Sequence, residues 1–220
     1  MPTTSYNPVL CLWKQRSLFI GTLDEPLDIS TGASTFFIGL DKPIRFITST
    51  MKEPIQCRSI LIPAGTAVVI DSGDAFIANI TLDPMGADFL HLSKIMERHH
   101  HDAFFQIRNE QGIIESMLSI CEPPVKHQAV YDLLHNIFNK EPNEKTIEED
   151  SRIEQVVLEI QETINENPSL IHLARSVNLS PAYLTELFKL STGLPIRRYR
   201  LWYRIFSTVL SITQGRNLTD

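Results

Sequence analysis

Near residue 86 the hydrophobic period of this 220-residue chain changes from two to about 3.6, which dictates an α+β fold. Upstream of that point, short segments rich in Ile, Val, Phe and Thr recur between turn signals, at 17–20, 34–40, 44–48, 55–62, 67–70 and 75–82. Gly, Pro and Asp clusters at 24–26, 41–43, 63–65 and 71–74 punctuate them. Close strands joined by tight turns predict an antiparallel β barrel or sandwich rather than a parallel sheet.

Downstream, Phe89, Leu92, Ile95 and Met96 line one face of a predicted helix ending near His101. A second helix is predicted over 126–138, with Val130, Leu133, Leu134 and Ile137 on one side. Residues 139–151 are polar and acidic and read as a linker. Ile153, Val156, Val157, Ile160 and Ile164 then mark a further amphipathic helix, stopped at 165–168. Three regions follow: 1–85, an antiparallel β domain; 86–150, a helical linker and dimerisation region; and 151–220, an all-α region.

The chain is 43% hydrophobic and 21% charged, which excludes wholesale disorder. No apolar stretch approaches the ~20 residues needed to cross a bilayer, and no basic, apolar leader opens the chain. The expected setting is therefore cytoplasmic, with no membrane partner. Cys11, Cys57 and Cys121 are odd in number and far apart, which fits buried small residues better than a disulfide framework. The net charge of −6 is unevenly spread: residues 1–169 carry 13 Lys+Arg against 24 Asp+Glu, and residues 170–220 carry 7 against 2. A basic module on an acidic body fits a polyanionic partner, and a solvated basic face fits as well.

Pattern decides between them. Ser169 is placed to cap a short helix whose inner face is Leu170, Leu173, Ala174 and Val177. Asn178 stands at a sharp turn and tolerates the left-handed conformation. Ser180 is a second N-cap, followed by Pro181 at the first helical position. Leu184, Leu187 and Phe188 face inward, and Gly193 ends the second helix. Two short helices joined this way form a helix-turn-helix, which lays the outer face of its second helix in the major groove. That face carries Ala182, Tyr183, Thr185, Glu186 and Lys189. A long helix over 195–213 follows, with Arg197, Arg198, Arg200 and Arg204 near its start.

The stretch 173–189, with Thr192-Gly193-Leu194-Pro195 and Tyr199-Arg200-Leu201-Trp202, resembles the first helix-turn-helix of the AraC family of transcription regulators. The resemblance covers roughly residues 153–220. It implies that 195–213 is the helix joining two such units, and that 215–220 opens a second one. It further implies that Ala182, Thr185 and Glu186 face bases, while Tyr183, Lys189, Arg197 and Arg198 face the DNA backbone. Two departures stand out: the second unit is absent from the sequence, and Glu186 stands where the family often has arginine. Glutamate accepts a hydrogen bond from cytosine but is repelled by phosphate.

Ile60-Leu61-Ile62-Pro63-Ala64-Gly65-Thr66 and Ile80-Thr81-Leu82-Asp83-Pro84 resemble the small cupin-like sensor barrel found ahead of such DNA-binding regions. Metal-dependent cupins place a histidine three residues after this turn, where Val68 stands, so no metal or other cofactor is expected. An organic ligand in an apolar cavity fits better. The run His99-His100-His101-Asp102 reads as a solvated helix end rather than a chelate, because adjacent helical residues point about 100° apart. No P-loop, Gly-x-Ser-x-Gly, His-Glu-x-x-His or Gly-x-Gly-x-x-Gly motif is present.

These readings converge on a non-enzymatic regulator with DNA, a small organic ligand and a second copy of itself as partners. Two alternatives stand beside it: an interaction module that dimerises without binding DNA, and a cupin-type enzyme, which needs a metal or polar catalytic cluster that the sequence does not supply.

Overall fold

A strand reading Phe36-Phe37-Ile38, with no polar alternation, requires cover on both of its faces. The computed structural model provides it; residues 6–13, 16–30, 32–82, 87–122, 126–138 and 150–213 are described. Two compact units divide the chain, Met1–Pro142 and Asn143–Asp220.

The first unit carries eleven strands among the described residues: β1 (Val9–Leu12), β2 (Ser17–Gly21), β3 (Leu27–Ser30), β4 (Thr35–Gly39), β5 (Ile44–Thr48), β6 (Ile55–Cys57), β7 (Ser59–Ile62), β8 (Ala67–Asp71), β9 (Ile77–Thr81), β10 (Met96–His100) and β11 (Ala103–Ile107). Helices α1 (Ala87–Ile95), α2 (Glu110–Ile120) and α3 (His127–Phe138) complete it. The strands form a seven-stranded sheet, ordered β1-β2-β9-β4-β7-β11-β10, and a four-stranded sheet, ordered β3-β8-β5-β6. Every pairing is antiparallel.

The core is double. Phe37, Ile60, Ile62, Ile77 and Phe105 leave one face of the large sheet and pack on Ile44, Phe46, Val68 and Ile70 of the small one. Phe36, Ile38, Leu61, Ala78 and Ile80 leave the other face and meet Leu92, Ile113, Met117, Val130, Leu134 and Phe138 of the helices. Alternation along β4 and β7 therefore serves two cores, which explains why their sequences look uniformly apolar. Arg16 and Asp88 form a buried ion pair with Nε–Oδ2 2.6 Å and Nη2–Oδ1 2.5 Å. The guanidinium also lies against the Tyr131 and Phe138 rings, 5.6 and 5.5 Å from their centroids, tying the approach to β2 to α1 and α3.

Several expectations are corrected here. The helix expected to reach His101 stops at Ile95, and Met96–His100 is the strand β10. The histidine run is thus one arm of a hairpin, with Arg98 opposite Phe105, His100 opposite Ala103 and His101 in the turn at φ 48°. The cause is the following segment, whose Ala103, Phe105 and Ile107 are buried while β11 pairs with β7 and draws 96–100 into the ladder. Strands β1, β3 and β11 and helix α2 lie outside the predicted elements, and the predicted strand 55–62 is two strands broken at Arg58. The three cysteines are buried and unpaired, and burial raises each thiol pKa.

The second unit holds α4 (Ser151–Glu162), α5 (Leu170–Ser176), α6 (Pro181–Thr192) and α7 (Ile196–Thr213). Its core is Ile153, Val156, Val157, Ile160, Leu173, Ala174, Leu184, Phe188 and Tyr199. Tyr199 is wholly buried edge-on to Phe188, and its hydroxyl accepts a 2.9 Å bond from Gln161 Nε2. Of the expected linker (139–151), residues 139–149 lie outside the described residues and Ser151 already opens α4; the expected opening of a second helix-turn-helix (215–220) also lies outside them.

Candidate nucleic-acid interface

The turn between α5 and α6 is built from local chemistry. Ser169 Oγ accepts from the His172 N–H at 3.1 Å, and Ser180 Oγ accepts from the Tyr183 N–H at 3.2 Å, so each helix start has an orphan donor satisfied. Asn178 adopts the left-handed φ of 56°, and the Leu179 N–H reaches back to the Ala174 carbonyl at 2.8 Å. Gly193 ends α6 at φ 75°, a conformation that L side chains adopt only under strain.

Leu184 and Phe188 anchor α6 in the core, while Leu187 is half-buried. Ala182, Tyr183, Thr185, Glu186 and Lys189 are all exposed. The Thr185 hydroxyl donates to the Pro181 carbonyl at 2.9 Å. Leu170, expected inside α5, is 36% exposed instead, because it occupies the first helical position, before the buried stripe begins.

The arginines of α7 divide into two groups. Arg197 and Arg198 are exposed on its first turn. Arg200 donates from Nη1 to Asn167 Oδ1 at 3.5 Å and from Nη2 to the Pro168 carbonyl. Arg204 Nε donates to the Ile164 carbonyl at 3.3 Å. The latter two hold the α4–α5 loop. Burial first, and then the neighbouring Arg204 charge, lower the Arg200 pKa, against a smaller opposing effect of Glu159.

Further polar contacts join α4 to its neighbours, some between distant residues and one within its own first turn. Glu159 lies 2.9 Å from His172 Nε2 and accepts from Ser176 Oγ at 2.7 Å, joining α4 to α5. Asp150, the N-cap of α4, chelates the Arg152 guanidinium at 2.8 and 2.6 Å. Arg152 also interacts with the Tyr183 hydroxyl on α6, and Asp150 first, then Tyr183, raise its pKa. Only the Asp150–Arg152 pair has a local signal: a cap residue immediately before an amphipathic helix, with arginine two positions on.

In the first unit, Tyr6, Phe19, Leu40, Phe76 and Leu118 line an open groove of about 900 Å³ with Asp41 and Asp74 at its rim. Tyr6 and Phe76 stack at 5.4 Å. Val68 is buried in the core between the sheets, where it has no atom to offer a metal. Among the described residues, no group of three His, Cys, Asp or Glu is placed to hold a metal ion, and no helix is long and apolar enough to cross a membrane.

No family model matches the chain, and no curated protein matches it. Solved structures do match. An apo ToxT variant from Vibrio cholerae is 8% identical with a TM-score of 0.59, covering 94% of this chain and 86% of that one. Wild-type ToxT from the same organism with an unsaturated fatty acid bound is 10% identical with a TM-score of 0.54, covering 98% and 85%. A further Vibrio cholerae ToxT structure is 12% identical with a TM-score of 0.53, covering 97% and 85%. At such identities the likeness is one of fold: an antiparallel β unit followed by a helical one, the layout that the resemblance to AraC-type regulators implies.

Proposed function

We propose, from the fold shared with ToxT, that this chain is a DNA-binding transcription regulator of the AraC type whose N-terminal β unit senses a small organic molecule. The observation that carries the reading is the outer face of α6, whose Ala182, Thr185 and Glu186 are exposed while its inner face is sealed in the core. In this reading those three residues face bases. Tyr183, Lys189, Arg197 and Arg198 meet phosphates on either side. Small side chains at 182 and 185 suit contact with a thymine methyl, and Glu186 selects cytosine N4.

The aromatic groove at Tyr6, Phe19 and Phe76 suits an apolar molecule, and its volume lies in the range of small-ligand sites. ToxT with a bound fatty acid supports a small-molecule role for a protein of this fold. Of the two carboxylates lining the aromatic groove, Asp74 is paired with Lys42 and Asp41 accepts from the Phe76 N–H. A ligand held there controls DNA binding only by differing in affinity for two arrangements of the protein. In this reading the protein works in the cytoplasm as a homodimer, which pairs two recognition helices on a two-fold site.

Selection of duplexes from a randomised pool by the full chain, followed by anisotropy titration of the winner, tests the proposal. The expected result is a sequence preference that Thr185→Ala or Glu186→Gln changes at particular base pairs. Binding that is indifferent to sequence and to both substitutions overturns the base-facing assignment. A second reading, an interaction module, is favoured by the exposed stripe Leu201 (59%), Ile205 (58%) and Val209 (41%) on α7. A stable dimer with no duplex affinity at low salt selects it.

A further inference from the structure

Arg197, Arg200, Leu201 and Arg204 are spaced i, i+3, i+4 and i+7, so they share one face of α7 across about two turns. With Leu170 and Thr185 they line a groove of about 610 Å³ in the second unit. That volume exceeds what a lone phosphate group fills and lies in the range of sites for small organic ligands. Leu201 (59% exposed) stands among the arginines and Leu170 (36% exposed) lines the groove with them, so the groove offers both cationic and apolar surface.

Among the described residues, Arg197, Arg200 and Arg204 form no ion pair with a carboxylate. Arg197 is exposed and has no partner among the described residues. Arg204 directs Nε to the Ile164 carbonyl, a neutral acceptor, and Arg200 likewise spends its Nη atoms on Asn167 and Pro168. Arg200 Nε is buried without any hydrogen-bond partner. Arg200 feels the positive charge of Arg204 more strongly than the negative charge of Glu159, whose carboxylate is already engaged by His172 and Ser176. An oxyanion entering the groove relieves this repulsion and gains forked guanidinium bonds.

We propose that this groove binds an organic oxyanion, a phosphate monoester or carboxylate on a short aliphatic body, with the anion between Arg197 and Arg204 and the body on Leu201 and Leu170. The site belongs to the helical unit and is distinct from the aromatic groove of the β unit. Because Arg197 is also assigned to the DNA backbone, the occupant competes with duplex. The competition rests on the DNA-binding reading, whereas binding of the small anion does not.

Calorimetric titration of the full chain with hexyl phosphate, inorganic phosphate and hexanol separates the sources of affinity. Hexyl phosphate is expected to bind saturably, inorganic phosphate about tenfold or more weakly, and hexanol not at all. Arg197→Gln removes a side chain with no described partner, and Leu201→Ser alters an exposed one, so neither threatens folding. Each is expected to weaken hexyl phosphate about tenfold. No saturable binding, equal affinity for inorganic phosphate, or indifference to both substitutions overturns the proposal. If duplex binds and is lost in Arg197→Gln while hexyl phosphate does not bind, the groove is a backbone contact only and the DNA reading survives alone. Hexyl phosphate binding without any duplex affinity leaves this site standing and removes the DNA reading.

Discussion

The Arg200 guanidinium donates to the carbonyl oxygen of Pro168, 32 residues earlier in the chain. An arginine in a basic helix thus closes the loop that carries α5, and Arg204 repeats the device one turn later on Ile164. Arginines that look equivalent in sequence therefore have different work, and substitution separates them.

Arg200→Ala removes two charge-assisted bonds and leaves the Pro168 carbonyl without that donor, so the helical unit loses about 1.5–3 kcal/mol. Arg197→Ala changes stability by less than about 0.5 kcal/mol. Urea unfolding followed by helical circular dichroism ranks the two variants.

Replacing Arg197 and Arg198 together with alanine removes two proposed phosphate contacts. The slope of log K against log salt is expected to become shallower by about 1.8, because each B-DNA phosphate neutralised contributes about 0.9. Anisotropy titrations at several salt concentrations measure it, and an unchanged slope refutes the placement of both residues.

Asp88→Asn strips the counter-charge from Arg16, which is 7% exposed and packed between aromatic rings. A loss of about 3–5 kcal/mol is expected, because an uncompensated charge remains buried. The double substitution Arg16→Met, Asp88→Leu recovers most of that loss, and thermal denaturation of both variants checks the contrast.

Asn178 at φ 56° forms the turn between α5 and α6. Asn178→Gly is expected to be near neutral, since glycine adopts this conformation freely. Asn178→Val costs about 1–2 kcal/mol, because a β-branched residue clashes there. Denaturant midpoints distinguish them.

The Cys57 thiol is pushed up from 9.0 to about 12, first by burial and then by Glu110. The folded protein therefore holds this proton over a range in which the unfolded chain has released it. Stability contributed by the neutral thiol is complete below pH 9 and falls as the pH rises from about 9 to 12. Cys57→Ala is expected to flatten that fall in a pH series of urea midpoints. Native protein at pH 8 resists alkylation at this residue, and unfolded protein does not.

The α5–α6 turn is legible because its determinants are neighbours in the chain. Ser169 and Ser180 cap, Asn178 turns left-handed, Pro181 starts a helix and Gly193 ends one, each within about four residues of the group it serves. The hydrophobic face of α6 follows from the 3.6 period alone, and so does the exposure of Ala182, Thr185 and Glu186.

Elsewhere the amino-acid order left two answers open. Phe89, Leu92, Ile95 and Met96 suit a helix continuing to His101, yet pairing of β11 with β7 supplies ladder bonds and buried area that convert 96–100 to a strand. The double core hides the alternation of β4 and β7, since both of their faces are apolar. The fates of Arg16, Arg200 and Arg204 rest on acceptors 32 to 72 residues away. Local order decides caps, turns and helix faces because their energies act within one turn of chain; tertiary structure alone decides which strand pairs with which and which cations remain unengaged, because those energies exist only once distant segments meet.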